Sequence, residues 1–369
     1  MKESKAMRAA VTAAMTVMPV VTGMPIWLWL AAFCPGWAGW IFWPIYAALC
    51  LSLPMSHRLP AGKLRCFVHS VGECWMGVLM YSTMGMFTAA FAYLAGLLFD
   101  FLSHSAQGMF WFGLGGMGLS AVLYLAAFLN AFRLKKTVYT LQTEKPVEMD
   151  VALISDLHLG FTTGRRMLPR IVNKVNALQP DAVLVAGDLF DAGYDALRRP
   201  EQAADALAGL KSACGTYFCQ GNHDLISPDP RVTAFCQRAG LRLLRDETVE
   251  VGEGLITGRL DKVNACRAEI EALPLDPADE RYHIVLDHHP DDIEALWQAG
   301  ADLVCCGHTH AGQTFPFTLV LRLMQKYCYG LFGSGSRHAV VTSGAGFWGP
   351  PLRLGARNEV VLIRIRQKK

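Results

Sequence analysis

The sequence predicts an α/β domain that follows an all-α region of four membrane-spanning helices. Long apolar stretches with few charged residues occupy the beginning of the 369-residue chain. From Val147 onward, short apolar runs alternate with amphipathic helical segments, which is the order of an α/β fold. Side chains of Asp, Asn and His follow five of those runs. We therefore divide the chain into two domains, 1–136 and 147–369.

The composition is apolar and nearly neutral, with 52% hydrophobic and 18% charged residues, a mean hydropathy of +0.26 and a net charge of +3. A nucleic-acid binder needs a concentrated basic surface that follows the phosphates, so this composition argues against nucleic acid as a partner. The 11 cysteines are odd in number and form no Cys-x-x-Cys pair. This pattern predicts reduced thiols in a cytoplasmic domain and argues against a structural zinc held by cysteine.

Two long stretches carry almost no charge. No charged residue lies between Arg8 and Arg58. Between positions 66 and 132 only Glu73 and Asp100 are charged. Since a helix needs about 20 mostly apolar residues to cross the hydrocarbon core, the predicted spans are 11–33, 37–54, 74–99 and 108–132. A cleaved signal peptide is the alternative for the first span, but its apolar run is too long and three more follow.

Basic residues flank the predicted spans on one side only. They precede the first span, separate the second from the third and follow the fourth, whereas the other two loops carry no Lys or Arg. By the positive-inside rule, the N-terminus and everything after residue 133 face the cytoplasm. The basic residues are Lys2, Lys5, Arg8, Arg58, Lys63, Arg65, Arg133, Lys135 and Lys136.

The second domain contains short apolar runs typical of buried parallel strands, separated by amphipathic helices. The predicted strands are 151–155, 182–186, 216–220, 284–287, 303–306 and 359–365, and the predicted helices are 168–178, 201–211 and 291–299. In such sheets, ligands gather at the carboxyl ends of the strands.

Potential metal ligands follow each of the first five predicted strands. In chain order they are Asp156 and His158, Asp188, Asn222 with His223 and Asp224, His288, and His308 with His310. Residues i and i+2 of an extended segment point the same way, so the paired ligands can share an ion. Each motif alone has an ordinary explanation, such as a turn or a buried histidine, but the five together favour a metal site. Carboxylate, carboxamide and imidazole ligands without thiolate suit Mn²⁺, Fe or Zn²⁺.

The series Asp-x-His, Gly-Asp, Gly-Asn-His-Asp, His and Gly-His-x-His resembles the calcineurin-like metallophosphoesterase superfamily. The segments 306–313 and 342–353 resemble its membrane-associated bacterial branch. The resemblance covers about 148–365 and implies two β-sheets packed face to face with helices outside. It also implies two divalent metal ions. Together, the apolar spans, the charge pattern and this bacterial branch predict a location at the bacterial inner membrane, with the catalytic domain on the cytoplasmic side.

The resemblance further implies roles for the individual residues. One ion would be held by Asp156, His158 and His310, the other by Asn222, His288 and His308, and Asp188 would bridge them. A hydroxide held between the ions would attack phosphorus. His223 would protonate the leaving oxygen or stabilise the transition state, and Asp224 is expected to orient His223 and raise its pKa. Only one residue of the pair at 288–289 can point inward, so His289 is expected at the rim.

Substrate recognition is predicted less directly. Arg259 is the candidate for a second phosphate, because its guanidinium can bind two oxygens at once. Arg165, Arg166, Arg353 and Arg357 are further candidates, for most of which a solvated surface charge is the alternative. The apolar segment 314–332 has three open interpretations: it covers the site, lies on the bilayer surface or belongs to the core.

The predicted function is hydrolysis of a phosphate ester or pyrophosphate bond in a lipid-linked substrate, in contact with membrane lipids. A substrate similar to UDP-2,3-diacylglucosamine is one specific possibility. The first alternative is a membrane-tethered phosphodiesterase for a soluble substrate, such as a cyclic nucleotide. The second is a non-catalytic membrane sensor or interaction protein. The sequence does not indicate an oligomeric state.

Overall fold

The computed structural model describes residues 5–60, 62–98, 106–161, 163–164, 166–191, 194–197, 199–225 and 230–368. Its contacts divide the chain into two compact units. The first comprises Met1–Leu129 and Gly349–Leu352, and the second comprises Asn130–Trp348 and Arg353–Lys369.

The first unit is built from four helices. They are α1 (Lys5–Ala31), α2 (Gly39–Ser56), α3 (Lys63–Leu98) and α4 (Ala106–Ala131). Among the described residues, three segments are long and apolar enough to cross a membrane: Gly36–Ser56, Lys63–Leu98 and Gln107–Ala131. In α1 the apolar stretch whose side chains the structure describes is shorter, Val17–Ala31. The predicted break at 103–105 and residue Asp100 lie outside the described residues.

Helix α3 begins eleven residues before the predicted third span, because the polar residues of its first turns form partners within the unit. Ser56 Oγ lies 3.0 Å from His69 Nδ1, and His69 Nε2 lies 3.2 Å from Glu73 Oε1. All three side chains are buried. Buried hydrogen bonds of this kind let polar residues continue an otherwise apolar helix.

The second unit contains two six-stranded sheets. The first sheet has the order β1 (Leu134–Thr143), β12 (Asn358–Gln367), β2 (Met149–Ile154), β3 (Ala182–Ala186), β4 (Thr216–Cys219) and β5 (Leu241–Leu244). The second has the order β10 (Gly330–Ser334), β11 (Arg337–Val341), β9 (Leu303–Cys306), β8 (Tyr282–Leu286), β7 (Gly254–Gly258) and β6 (Glu247–Val251). Strands β2 to β5 run parallel to one another, as do β7, β8, β9 and β11.

The two sheets pack face to face and helices cover their outer faces. Leu184 of β3 belongs to the core between the sheets, whereas Val183 and Val185 pack under the helices of the first sheet. This alternation explains why every residue of β3 is buried. The outer helices are α5 (Met167–Asn176), α6 (Pro200–Leu207), α7 (Pro230–Arg238), α8 (Ile293–Ala299) and the exposed α9 (Phe317–Met324). The predicted fold of two sheets with outer helices is confirmed.

Each predicted strand and helix overlaps an observed one, but several elements were missed. Strand β1 lies between the two predicted domains and pairs in parallel along its whole length with β12. It escaped prediction because four of its exposed residues are polar: Lys135, Lys136, Thr140 and Gln142. Strands β5 to β7, β10 and β11 and helices α7 and α9 were also not predicted, since they are short or lie at sheet edges.

Candidate metal centre

The candidate ligands lie in the loops that directly follow the parallel strands. Strands β2, β3 and β4 supply one group from the first sheet, and β8 and β9 supply the other from the second sheet. Because parallel strands end at the same edge, the five loops converge. The structure thus brings together all seven residues predicted as metal ligands.

Five of the seven ligand residues have a left-handed backbone. The φ angles are 52° for Asp156, 43° for His158, 52° for Asp188, 68° for His308 and 49° for His310. Such a conformation costs about 1–3 kcal/mol for a residue other than glycine and persists only where the surroundings enforce it. The strain is concentrated in the loops that aim these side chains at one another.

The first cluster consists of Asp156, His158 and His310, which are all buried. The two histidine Nε2 atoms lie 3.0 Å apart. Asp156 Oδ1 is 3.5 Å from Nε2 of His310 and 4.0 Å from Nε2 of His158. A carboxylate oxygen and two imidazole nitrogens therefore face a common point.

The second cluster consists of Asn222, His288 and His308. His308 Nδ1 lies 3.1 Å from Asn222 Oδ1. The rings of His288 and His308 have centroids 5.2 Å apart. These three residues come from three different strand ends, so only the fold brings them together.

Asp188 lies between the two clusters. Its Oδ2 atom is 3.1 Å from His288 Nε2 and 3.7 Å from His158 Nε2. Its Oδ1 atom accepts a hydrogen bond of 2.8 Å from the backbone amide of His223. One carboxylate thus reaches residues of both clusters.

The donor set fits divalent metal ions. His288 Nδ1 donates to the carbonyl of Ala186 over 2.9 Å, which orients the buried Nε2 towards Asp188 and the candidate metal position. Asp156 and Asp188 are buried carboxylates, and buried anions require compensating positive charge. Cations bound between them and the histidines would supply it.

Opposite charges on neighbouring side chains shift the pKa values of these buried groups. Burial would lower the pKa of His288, but Asp188 and Asp156 outweigh burial and raise that pKa to about 10. Burial would raise the pKa of Asp188, but His288 and His158 outweigh it and lower that pKa. The two side chains thus form a buried ion pair, which an incoming cation would replace.

Glycines permit the close approach of the ligand loops. A Cβ on Gly221 would lie 2.3 Å from Asp188 Oδ1, and one on Gly307 would lie 2.5 Å from Asp156 Oδ2. The nearest neighbours of both positions are side chains of the candidate ligands themselves.

His223 lies beside the clusters rather than within them. Its Nδ1 is 2.6 Å from the carbonyl oxygen of Asp191 and therefore carries a proton, which leaves Nε2 as the nitrogen that can face a substrate. Its ring centroid lies 4.8 Å from that of His158, in an edge-on arrangement, and 5.8 Å from that of Trp348.

Comparison with known proteins identifies the family. Residues 149–312 match the calcineurin-like phosphoesterase family. The chain is 34% identical over 228 residues to an uncharacterized metallophosphoesterase of Helicobacter pylori, covering 60% of each chain. It is also 31% identical over 331 residues to a zebrafish (Danio rerio) transmembrane protein with metallophosphoesterase domain, covering 79% of this chain and 74% of that one. The protein is a calcineurin-like metallophosphoesterase.

A further relative of this metallophosphoesterase is phosphodiesterase YaeI of Escherichia coli, which is 28% identical over 235 residues, or 58% of this chain and 81% of that one. The family and its named relatives are metallophosphoesterases or phosphodiesterases, and the chain spans 60% of the length of the Helicobacter pylori relatives that it matches. The alternative of a non-catalytic sensor is thus not supported. The apolar helices and the relatives named as transmembrane proteins indicate association with membranes.

Asp224 of the metallophosphoesterase does not orient His223, contrary to the prediction. Its carboxylate accepts hydrogen bonds from the backbone amides of Phe190 (2.9 Å) and Gly221 (2.8 Å). Burial and the nearby charge of Asp188 raise the pKa of Asp224 to about 7. The residue joins the loops after β3 and β4, and the carbonyl of Asp191 takes the predicted place beside His223.

Arg259 does not present its guanidinium to the site, so the structure gives no support to the predicted substrate contact. The side chain is 2% exposed. Its guanidinium lies 3.1 Å from Asp287 and 2.9 Å from Asp292 and donates to the carbonyl of Ala268 over 3.1 Å. Buried ion pairs with these partners use its donors within the protein.

His289 is buried, although it was expected at the rim. Its Nε2 lies 3.2 Å from Asp261 Oδ2, and its ring centroid is 3.6 Å from that of His308. The prediction was wrong because the residue after His288 turns towards the end of β7 rather than towards solvent. Asp261 was not predicted as part of the site. It lies three residues after the end of β7, so looking for polar residues after each strand could have found it.

Two further residues beside the clusters were missed or misjudged. Asp191, three residues after Asp188, holds His223 and places Oδ1 3.5 Å from His158 Nδ1. Arg353 is fully buried rather than solvated, and it donates to the carbonyls of His310 (2.9 Å) and Gly346 (2.6 Å). Arg165 lies outside the described residues.

Proposed function

We propose that the protein is a membrane-anchored, dinuclear metal-dependent phosphoesterase that hydrolyses a phosphate ester or pyrophosphate bond of a lipid-linked substrate. The observation that carries this proposal is the position of Asp188, within 4 Å of histidines in both ligand clusters. An aspartate in that position can bridge two ions, and paired ions about 3.5–4 Å apart stabilise in-line displacement at phosphorus.

The proposed ligand assignment follows the two clusters. Asp156, His158 and His310 would hold one ion, and Asn222, His288 and His308 the other, with Asp188 shared. When bound, the ions would lower the pKa of water and neutralise charge on the phosphoryl oxygens. Mn²⁺, Fe and Zn²⁺ all suit this mixture of oxygen and nitrogen donors.

The chain's own residues would position the reaction and transfer the proton. His223 Nδ1 donates a hydrogen bond to the carbonyl of Asp191, which orients the ring. Nε2, when protonated, could then donate to the leaving oxygen. Exposed Trp348 lies against the ring of His223 and would limit its rotation and its contact with water. Arg353 would hold the backbone of His310 in its left-handed conformation.

The membrane location rests on the first unit and on the distribution of charge. We assign this unit, predicted as 1–136, to a multi-pass anchor. The basic residues beside its apolar helices support a position of the catalytic domain, predicted as 147–369, on the cytoplasmic side of a bacterial inner membrane. Anchoring keeps the enzyme beside lipids, which supports a lipid-linked substrate such as a UDP-2,3-diacylglucosamine-like molecule. A soluble phosphodiester remains the second candidate, favoured by the relative named as a phosphodiesterase.

The experiment is an activity screen of the full-length protein in detergent, with Mn²⁺, against phospholipid, nucleotide-sugar-lipid and soluble phosphodiesters. We expect hydrolysis of a lipid-linked ester and its loss in Asn222→Ala. The matched control is Asn173→Ala, which removes an exposed carboxamide from α5. Faster hydrolysis of the soluble esters than of every lipid ester would support the second candidate, and hydrolysis of none would contradict both.

A further inference from the structure

Helix α9 exposes most of its apolar side chains to solvent. We call this set the α9 apolar surface; it consists of Phe317, Leu319, Val320, Leu323 and Met324, with exposed fractions of 56%, 53%, 45%, 79% and 81%. Thr318 is the one residue of the helix that is buried. For α9 itself, the interpretation as core is therefore wrong, whereas Tyr327 and Phe332 of the same apolar segment pack against a buried cluster. Clustered exposure of this kind is typical of a surface that contacts a protein or a membrane.

The α9 apolar surface adjoins the metal centre. The turn that follows His310 packs closely against the start of α9. A Cβ added to Gly312 in this turn would lie 2.6 Å from Thr318 Cα. Beyond the helix, Thr309 Oγ1 donates to the carbonyl of Cys328 over 2.6 Å. Both contacts join the segment to the loop that carries two of the candidate ligands, so a molecule held at α9 lies beside the site.

The charge around the helix favours an anionic partner. No Asp or Glu occurs from Leu303 to Asn358, whereas the same stretch contains five Arg and Lys residues. Arg322 and Lys326 are exposed, and Lys326 also pairs with Glu294 over 2.6 Å. They border an open groove of 590 Å³ whose lining includes Tyr329 and Phe332. Exposed apolar side chains bordered by basic ones are typical of a helix that lies in a membrane interface.

We propose that the α9 apolar surface inserts into the interface of an anionic lipid bilayer and so delivers a lipid-linked phosphate to the metal centre. This inference rests on the proposed function and deepens it, because it states how the substrate reaches the site. A bilayer is favoured over a second copy of the chain because the same chain carries membrane-length apolar helices and the surrounding charge is basic. Exposed Trp348 extends the apolar surface to His223.

The test is site-specific photo-crosslinking of the full-length protein in vesicles. Met324 is replaced by p-benzoylphenylalanine in one sample, and Glu253, an exposed residue of the β6–β7 turn, in the control. We expect a covalent phospholipid adduct at position 324 and not at 253, detected by mass spectrometry. The adduct should be more abundant in vesicles with phosphatidylglycerol than in pure phosphatidylcholine, and Arg322→Glu should reduce it by about fivefold for each charge changed.

The outcomes separate this inference from the proposed function. Equal lipid adducts at both positions, none at either, or a crosslinked dimer at 324 would overturn the bilayer contact, even if lipid-linked esters are hydrolysed. An adduct at 324 in a protein that cleaves no phosphate ester would support the contact and contradict the proposed function.

Discussion

Adding one methyl group at Gly307 should disable the metal centre without removing any ligand. The new Cβ would lie 2.5 Å from both Asp156 Oδ2 and Ser155 Oγ. Real Cβ contacts become ordinary at 3.4 Å, so the Asp156 carboxylate must move by roughly 0.9 Å in Gly307→Ala. Ser155 cannot absorb the shift easily, because its hydroxyl is hydrogen-bonded to that carboxylate and is buried.

The expected loss follows from the size of the displacement. A misplacement of about 1 Å costs on the order of 100-fold in rate, and overpacking a tight site destabilises the fold by about 1–3 kcal/mol. The assay measures kcat/KM with Mn²⁺ on whichever phosphate ester the activity screen identifies, together with metal content by elemental analysis. The control is Gly333→Ala, where the nearest atom to the added Cβ is 3.5 Å away. Full activity and full metal content in Gly307→Ala would refute the reasoning.

Three further substitutions distinguish the roles of residues around the centre. His223→Asn should lower kcat by about 10²–10⁴-fold with metal content unchanged, because it removes the proton donor but no ligand; a loss of metal would contradict that role. Asp224→Asn should lower stability by about 1–3 kcal/mol, since the amide can satisfy one of two buried N–H groups; thermal unfolding checks this against exposed Asp205→Asn. Arg259→Met should destabilise by about 1–3 kcal/mol, because buried Asp287 keeps only Arg267 as its charged partner. Chemical denaturation against exposed Arg281→Met measures this change, and an increase in KM alone would restore the predicted substrate contact.

The ligand set could be predicted from sequence because two local rules act together. Buried parallel strands such as β3 are continuous apolar runs, and the residues just after them fall at one edge of a sheet. The i, i+2 spacing of His308 and His310 then suggests a shared ion, although their left-handed φ angles show that a strained loop rather than an extended strand aims them. Position in the sheet, more than local conformation, determines where these side chains meet, while their role as ligands stays a prediction.

The residues around the ligands could not be predicted, because their orientation depends on loops from distant parts of the chain. Asp224 follows His223 in sequence, yet its carboxylate faces the amide of Phe190, 34 residues earlier. Arg259 lies at a strand end as the ligands do, but Asp287 and Asp292 from a neighbouring loop bind it. Sequence spacing alone contains no information on such partners.

The missed strand β1 illustrates a different limit. Its exposed residues include Lys135 and Lys136, so its burial pattern resembles that of a linker more than that of a core strand. Its partner β12 lies more than 220 positions later in the chain. The strand therefore depends on a long-range parallel pairing, which local periodicity does not reveal.

The most direct test of the account is the number of metal ions bound by the full-length protein and its dependence on Asp188. Elemental analysis of protein purified and reconstituted with Mn²⁺ should give two ions per chain, as a dinuclear centre requires. Asp188→Asn should reduce that number and abolish hydrolysis, whereas the exposed control Asp276→Asn should change neither. Two ions retained with full activity in Asp188→Asn, or a fully active protein with a single ion, would contradict the shared-aspartate centre.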